Sequence, residues 1–469
     1  MSTFSGLTTA STALAAARRG MDIVGQNIAN QTTAGYTRQR VETSAIGAAT
    51  VSGRFAVGPL PGQGVSVDGI SRLGDAVLDA RVRDTLAASG YWSTRASASA
   101  AAEKTLAEPT EDGIAHQLTE FWAAWQDLAN SPDSTAAAAT VITNAETLSS
   151  RIADAYRKVS DQWASARSAA TTIVTQVNVT ATQIAELNGA IRDAAASGAA
   201  PNDLIDRRNL LAQNLASLTG ATGTIESDGT MTLRIDGNAL VSGSDARAVV
   251  LSGPPSIESG TAMTLTWATP SGMTVDAVGG ELGGLLAVVA PGADGGVLAG
   301  LANDLNALAT SLATTVNAQH RAGVTADGTP GGDFFSLAAG GPAALGLGII
   351  PQGRADLALA APGAGPLDGT NADALSRVGA GAGGPNAIWG DVVARLAVST
   401  AAEAGRSSRA DAGVVAAVTA QQSVAGVDND EETVNLLTLQ TAYQAAARVL
   451  TAVDEALDVL INRTGLVGR

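Results

Sequence analysis

Residues 428–460 read DNDEETVNLLTLQTAYQAAARVLTAVDEALDVL, with apolar side chains at Leu436, Leu439, Tyr443, Ala446, Leu450, Val453, Leu457 and Leu460. Alternating steps of three and four place every member on one stripe of a slightly underwound helix, the seam of a coiled coil. Asp428, Asp430, Glu431 and Glu432 crowd the first turn, where the helix dipole favours anions. Gly465 and Gly468 lie beyond its end. The opposite end of the chain repeats the pattern at Leu7, Ala10, Leu14, Ala17, Met21, Val24 and Ile28. One such stripe also suits an ordinary core helix. Two of them, each polar off the stripe, predict helices that pair with each other and with neighbouring chains.

Inward from these ends, residues 73–218 keep a helical pattern. Glu108-Pro109 and Ser131-Pro132 are the breakers that separate its helices. Ile184, Leu187 and Ile191 share a face, as do Leu204, Leu211, Leu215 and Leu218. The composition changes at Gly220. GATGTIESDGTMTLRIDGNALVSG (220–243) alternates β-formers with polar residues, and Asp228-Gly229 and Asp236-Gly237 are hairpin-type turns. Helix returns after Gly280, with a stripe of Leu298, Leu301, Leu305, Leu308, Leu312 and Val316. Residues 321–387 are rich in Gly, Ala and Pro and read as loops with a few strands, and a last internal helix spans 389–422. The fold class expected is mainly α with β-rich insertions (α+β). Residues 1–72 with 425–469 make a terminal helical domain. A helical bundle takes 73–220, 281–320 and 388–424, while 221–280 and 321–387 form β-rich or irregular outer insertions.

Composition excludes several kinds of chemistry. The 469 residues carry 44 acidic against 28 basic side chains, a net charge of −16, which disfavours nucleic acid and anionic membrane. Cysteine is absent, so no disulfide, thiolate nucleophile or sulfur-ligated zinc site forms. The two histidines, His116 and His320, are far apart in sequence, and His320 reads as structural or surface. A GxGxxG match at Gly379, Gly381 and Gly384 lacks the preceding strand and runs into Pro385, so it reads as a flexible linker. Phe121, Trp122 and Trp125 on one helix read as core anchors in a chain with 3% aromatics. No HExxH, GxSxG or Walker sequence occurs. Neither a cofactor nor a metal is expected, and the chain reads as no enzyme. No run approaches the ~20 apolar residues of a membrane span, and no cleavable signal is recognisable.

One segment goes beyond generic patterning. GQNIANQTTAGYTRQR (25–40) resembles the stretch of flagellar axial proteins in which an N-terminal helix ends in an Asn-rich turn before Thr-x-Gly-Tyr. Asn27 and Asn30 suit a fraying helix end, Gly35 permits positive φ, and Tyr36 can fold back on the helix. AGVDNDEETVNLLTLQTAYQAAARVL (425–450) is similar to the matching C-terminal end. Within that superfamily GYTRQ (35–39), VNAQHRAGVTADGTPGGDFF (316–335) and LDVLINRTGLVGR (457–469) resemble the hook-associated protein 1 (FlgK) family. Low aromatic content and a short Ala/Gly-rich central region depart from its pattern.

The resemblance implies an elongated, multidomain, secreted structural component of the bacterial flagellum at the hook–filament junction. It implies unfolded passage through the flagellar type III export apparatus, with which a chain lacking cysteine is compatible. Terminal helices disordered in the monomer would then assemble in an inner tube, burying their seams only when subunits stack. The implied partners are copies of the chain itself, hook protein, a second junction protein or filament cap or flagellin, and an export chaperone at the C-terminal helix. A hook or rod component is the nearer alternative, against which the His320 segment argues. A secreted enzyme with flagellar-type export ends is the farther one.

Overall fold

The computed structural model describes residues 3–47, 62–277, 279–459 and 461. Helix α1 (Thr3–Ala29) leads into an antiparallel hairpin of β1 (Gln39–Ala45) and β2 (Val65–Arg72). Four helices follow: α2 (Ala76–Leu106), α3 (Ile114–Asn130), α4 (Thr135–Ala196) and α5 (Asn202–Thr219). Strands β3 (Thr222–Ile225), β4 (Met231–Ile235), β5 (Asn238–Ser242) and β6 (Asp245–Ala246) form a four-stranded sheet in chain order, and β7 (Val249–Ser252) pairs with β8 (Thr264–Trp267). Then come α6 (Gly280–Val289), α7 (Val297–Ala322), β9 (Phe335–Leu337), α8 (Ala343–Gly346) and β10 (Leu347–Ile349). Helices α9 (Thr370–Val378), α10 (Pro385–Ala425) and α11 (Asn429–Asp458) close the chain. Mainly α with β insertions is the fold class observed.

Local chemistry sets these boundaries. The Asp75 carboxylate accepts from the amides of Val77 and Leu78 and starts α2. Ser134 caps α4, and Asp428 caps α11 by accepting from Asp430 and Glu431. Pro109 and Pro132 both fall between helices. Asp236 and Gly237 have positive φ and join β4 to β5 in a two-residue turn.

Helix α4, 62 residues long, serves two cores in series. Its first half, through Ala138, Leu148, Ile152 and Trp163, packs in a cluster with Phe121, Trp125 and the α7 leucines. Its second half, through Val177 and Ile184, packs with α5 and with Met231, Leu233, Leu240 and Trp267 from the sheets. Residues 321–387, expected as an outer insertion, belong instead to the first cluster. Phe334, Phe335, Leu357, Leu359, Ala372 and Leu375 are all buried there, and the only strands of this region among the described residues are β9 and β10. Glycine and alanine made the region look loose, but its two adjacent phenylalanines fill the core.

The other sequence-level candidates take structural places. Phe121 and Trp125 are fully buried, and the Trp122 indole N–H donates to Asn386 Oδ1 at 2.9 Å. Gly379 turns tightly beside that indole, which a Cβ at Gly379 would overlap, so the glycine serves packing in an ordered turn. His320 is 1% exposed; its Nδ1–H donates to the Gly332 carbonyl at 2.8 Å, and its Nε2 accepts from the Ala358 amide at 3.0 Å. The ring therefore packs as the neutral Nδ1–H tautomer.

Burial holds the His320 pKa below the ordinary 6.5. Below about pH 6.5 the unfolded chain therefore binds a proton that the folded chain refuses. This contribution to stability is fully present above pH 6.5 and drains away as pH falls toward the folded pKa. The expected result is a gap in urea midpoint between the wild type and His320→Gln that narrows from pH 7.5 to pH 5.5. A gap that stays constant or widens would show that His320 is not held neutral.

Candidate assembly site

Helices α1 and α11 form an antiparallel pair. Gly6 lies against Val453, Gly20 against Leu439, and Asn27 bonds Glu432, so the two residue numbers decrease and increase in step. On α1, Ala10, Ala17 and Val24 are buried, and Leu7, Leu14, Met21 and Ile28 are half-buried. On α11, Ala446 is buried, and Leu436, Leu439, Tyr443, Leu450, Val453 and Leu457 are half-buried. Leu460 lies outside the described residues. The two stripes thus lie against one another within one chain, where the resemblance implied seams satisfied only by stacked subunits. Opposite ends of one chain carrying complementary stripes thus cover part of each other, and Gly6 and Gly20 let the helices approach closely.

At its root this pair is fastened to the rest of the molecule by a buried polar knot. Asn27 is 1% exposed and uses its whole amide. Its Nδ2 donates to the Gln39 carbonyl at 2.9 Å and to Glu432 Oε2 at 3.0 Å. Its Oδ1 accepts from the Gln39 amide at 3.0 Å and from the Tyr36 hydroxyl at 2.8 Å. Burial, then the charges of Asp206, Asp203 and Glu432, push Tyr36 up to about 12, so its hydroxyl keeps the proton that it donates. Asn30 works locally, donating to the Gln26 carbonyl and accepting from Thr33.

Gly35 has φ +77°, and a Cβ there would sit 3.3 Å from Leu210 Cβ. Gly35→Ala is expected to cost about 1–2 kcal/mol through left-handed backbone strain. Hydrogen exchange should read this as a roughly tenfold loss of protection at the buried Gln39 amide; unchanged protection would contradict it.

The sequence did not single out the charged half of the knot. Arg38 donates to Glu432 from Nε at 2.8 Å and reaches Glu431 from Nη1 at 2.9 Å, and its main-chain N–H bonds the Ala425 carbonyl where α10 ends. The Glu431 hydrogen bond is the largest influence holding the Arg38 guanidinium above its usual pKa. Glu432, read as dipole complement, is 1% exposed and accepts from both Arg38 and Asn27. Arg72 donates to Asp206 at 2.7 Å and to the Thr37 hydroxyl, while Asp206 accepts the Thr37 amide at 3.1 Å. Burial raises the Asp206 pKa against the pull of Arg72. Asn202 on α5 closes the ring by donating to Gln39 Oε1 and the Ile70 carbonyl. Arg38 stands inside the quoted GYTRQ motif, a signal that was available. Asp206 is 169 positions from Thr37, and nothing local announces that contact.

The knot positions helices; it presents no nucleophile beside a base. No group of three or more His, Cys, Asp or Glu that could hold a metal occurs among the described residues. No described helix is long and apolar enough to cross a membrane.

Residues 99–335, just over half of the chain, match the family described as the flagellar hook-associated protein FlgK helical domain. Residues 421–463, which contain α11, match the C-terminal region of flagellar basal body rod FlgEFG proteins. The chain is 28% identical over 508 aligned positions to flagellar hook-associated protein 1 of Bacillus subtilis (strain 168), covering all of both chains. It is 31% identical over 332 positions to flagellar hook-associated protein 1 of Salmonella typhimurium (strain LT2), covering 69% of this chain and 58% of that relative. Among solved structures, the flagellar hook junction protein FlgK from Burkholderia pseudomallei aligns with 55% of this chain and 46% of its own at 29% identity, with a TM-score of 0.48. The chain belongs to the flagellar hook-associated protein FlgK family, a structural component of the bacterial flagellum.

Proposed function

We propose that this chain builds the layer between hook and filament of a bacterial flagellum. The observation that carries the reading is the pairing of the chain's two ends into one antiparallel unit, fixed by a buried knot to a FlgK-type helical domain. In this reading the terminal domain (1–72 with 425–469) faces the axis of the assembly. The bundle (73–220, 281–320 and 388–424), with residues 321–387 packed into its first core, supports it, and the segment 221–280 lies farther out. Copies of the chain associate laterally through the terminal helices. Hook protein meets the layer on one side, and a second junction protein, filament cap or flagellin meets it on the other. The chain is secreted unfolded through the flagellar type III apparatus, with a chaperone covering the C-terminal helix until export.

Electron microscopy of a strain lacking the chain tests this. Hooks without filaments, together with filament protein released into the medium, are the expected result. Filaments of normal length would overturn the reading. Loss of the hooks themselves would favour a rod or hook component, a reading encouraged by the match over residues 421–463.

A further inference from the structure

Two arginines enter the second core without a carboxylate to meet them. Arg83 on α2 is 4% exposed and Arg208 on α5 is 2% exposed. Among the described residues neither forms an ion pair. Arg83 makes one side-chain hydrogen bond there, a long one of 3.4 Å from Nη2 to the Gly223 carbonyl of β3. Arg208 donates from Nη1 at 2.6 Å to the Gly229 carbonyl, in the turn that joins β3 to β4, and reaches Asn188 and Asn209 only at 3.4 Å. One hairpin thus receives the tips of both side chains. The Nε–H of each is buried and has no partner among the described residues. A Cβ at Gly223 would stand 3.5 Å from Arg83 Nε and 2.9 Å from Leu233, so the glycine keeps that side of the guanidinium clear of a side chain.

The charges around this place do not cancel. Burial, then repulsion from Arg72 and Arg83, pushes Arg208 down to about 10, and burial lowers Arg83 as well. Asp206 is committed to Arg72 and Thr37. Asp79 attracts both arginines, but its oxygens are taken by Gln421 at 2.6 Å and Asn209 at 3.2 Å. Asp84, the other acid acting on Arg83, is exposed, and solvent screens it. Arg72, Arg83 and Arg208 therefore exceed Asp79 and Asp206 by one positive charge. A water molecule would satisfy an N–H and leave that charge in place, and a buried charge without a partner is strongly destabilising.

We propose that Arg83 and Arg208 hold one small monovalent anion of the halide class between them, each donating its Nε–H to it. A single negative charge balances the excess, and hydrogen bonds from a guanidinium to an anion are charge-assisted. Burial selects the occupant. A partner's carboxylate or a phosphate ester would reach these nitrogens only if the hairpin were peeled away from α2 and α5, whereas a bare ion needs side-chain motion alone. The ion then ties α2, α5 and the β3–β4 hairpin together, two residues along α5 from the Asp206 of the polar knot, and the stability of that junction follows the surrounding halide.

In the test, sodium gluconate, whose anion is too large for the place, is exchanged for sodium chloride at constant ionic strength while the urea midpoint of the full-length chain is read. Above the Kd, each tenfold rise in chloride should raise the folding equilibrium constant about tenfold. Arg83→Met and Arg208→Met should each abolish that slope. Arg409→Met, at an exposed position of α10, should keep it. Crystals grown in bromide should show its anomalous signal beside both Nε atoms. A wild-type slope no steeper than that of Arg83→Met or Arg208→Met would overturn the site. Bromide seated there without any chloride slope in solution would mean an adventitious ion only, and would overturn it equally. Should both methionine variants fail to fold, the wild-type slope and the bromide position decide together, and a slope with bromide bound elsewhere would reject the assignment.

Discussion

Glu432→Ala is expected to free the terminal helix pair from the rest of the chain while both hydrophobic cores stay folded. Its carboxylate is buried with Arg38 and accepts from Asn27, so removal leaves the Arg38 Nε–H and one Asn27 amide hydrogen without an acceptor, while Glu431 still holds the outer side of the guanidinium. Leaving two buried donors unsatisfied costs about 1–3 kcal/mol each. Limited proteolysis should then cut near residues 30–40 and 425–430 and leave a resistant core. Glu431→Ala is the matched control. Its side chain is 58% exposed, although it reaches the same arginine, and an exposed pair contributes only about 0–1 kcal/mol. Equal protease resistance in the two variants would mean that the knot is not what fastens the terminal pair.

The second large effect belongs to Trp125→Ala. Its ring is fully buried, 5.4 Å from Phe334 and 6.3 Å from both Phe121 and His320. Emptying that place should cost about 3–5 kcal/mol in the urea-derived stability, since the surroundings collapse only partly. The indole N–H has no hydrogen-bond partner among the described residues. Trp125→Phe therefore sheds an unsatisfied donor along with some volume, and should cost less than about 2 kcal/mol. If Phe and Ala were equally destabilising, aromatic packing would not be what this position contributes.

Much of the fold was legible because its signals are periodic and local. The α7 stripe from Leu298 to Val316 is buried throughout, and Asp236-Gly237 makes the hairpin turn its residue types demand. The paired terminal stripes were legible for the same reason. What the sequence hid is non-local. Asp206 and Thr37 meet only after α5 has packed beside the N-terminal segment, and no spacing rule spans that separation. Residues 321–387 hid for a different reason: short aliphatic runs between glycines and prolines have no period to read. At the candidate site the motif residues Asn27, Gly35 and Tyr36 converge, and the α11 stripe legible from hydrophobic spacing is the face that meets α1, with Leu439 and Val453 against Gly20 and Gly6.

Helix α4 has a mechanical consequence. A helix of 62 residues is about 93 Å long, and its one interior glycine, Gly189, leaves the hydrogen-bonded ladder unbroken. Helix α6 ties the two cores as well, with Leu282 and Leu285 in one and Val288 and Val289 in the other, so a bending load is resisted by backbone hydrogen bonds in both helices and by their packed flanks. Torque arriving at one core reaches the other as shear between α4, α6 and the helices seated on them. Rigidity in this molecule comes from two helices that each reach both cores.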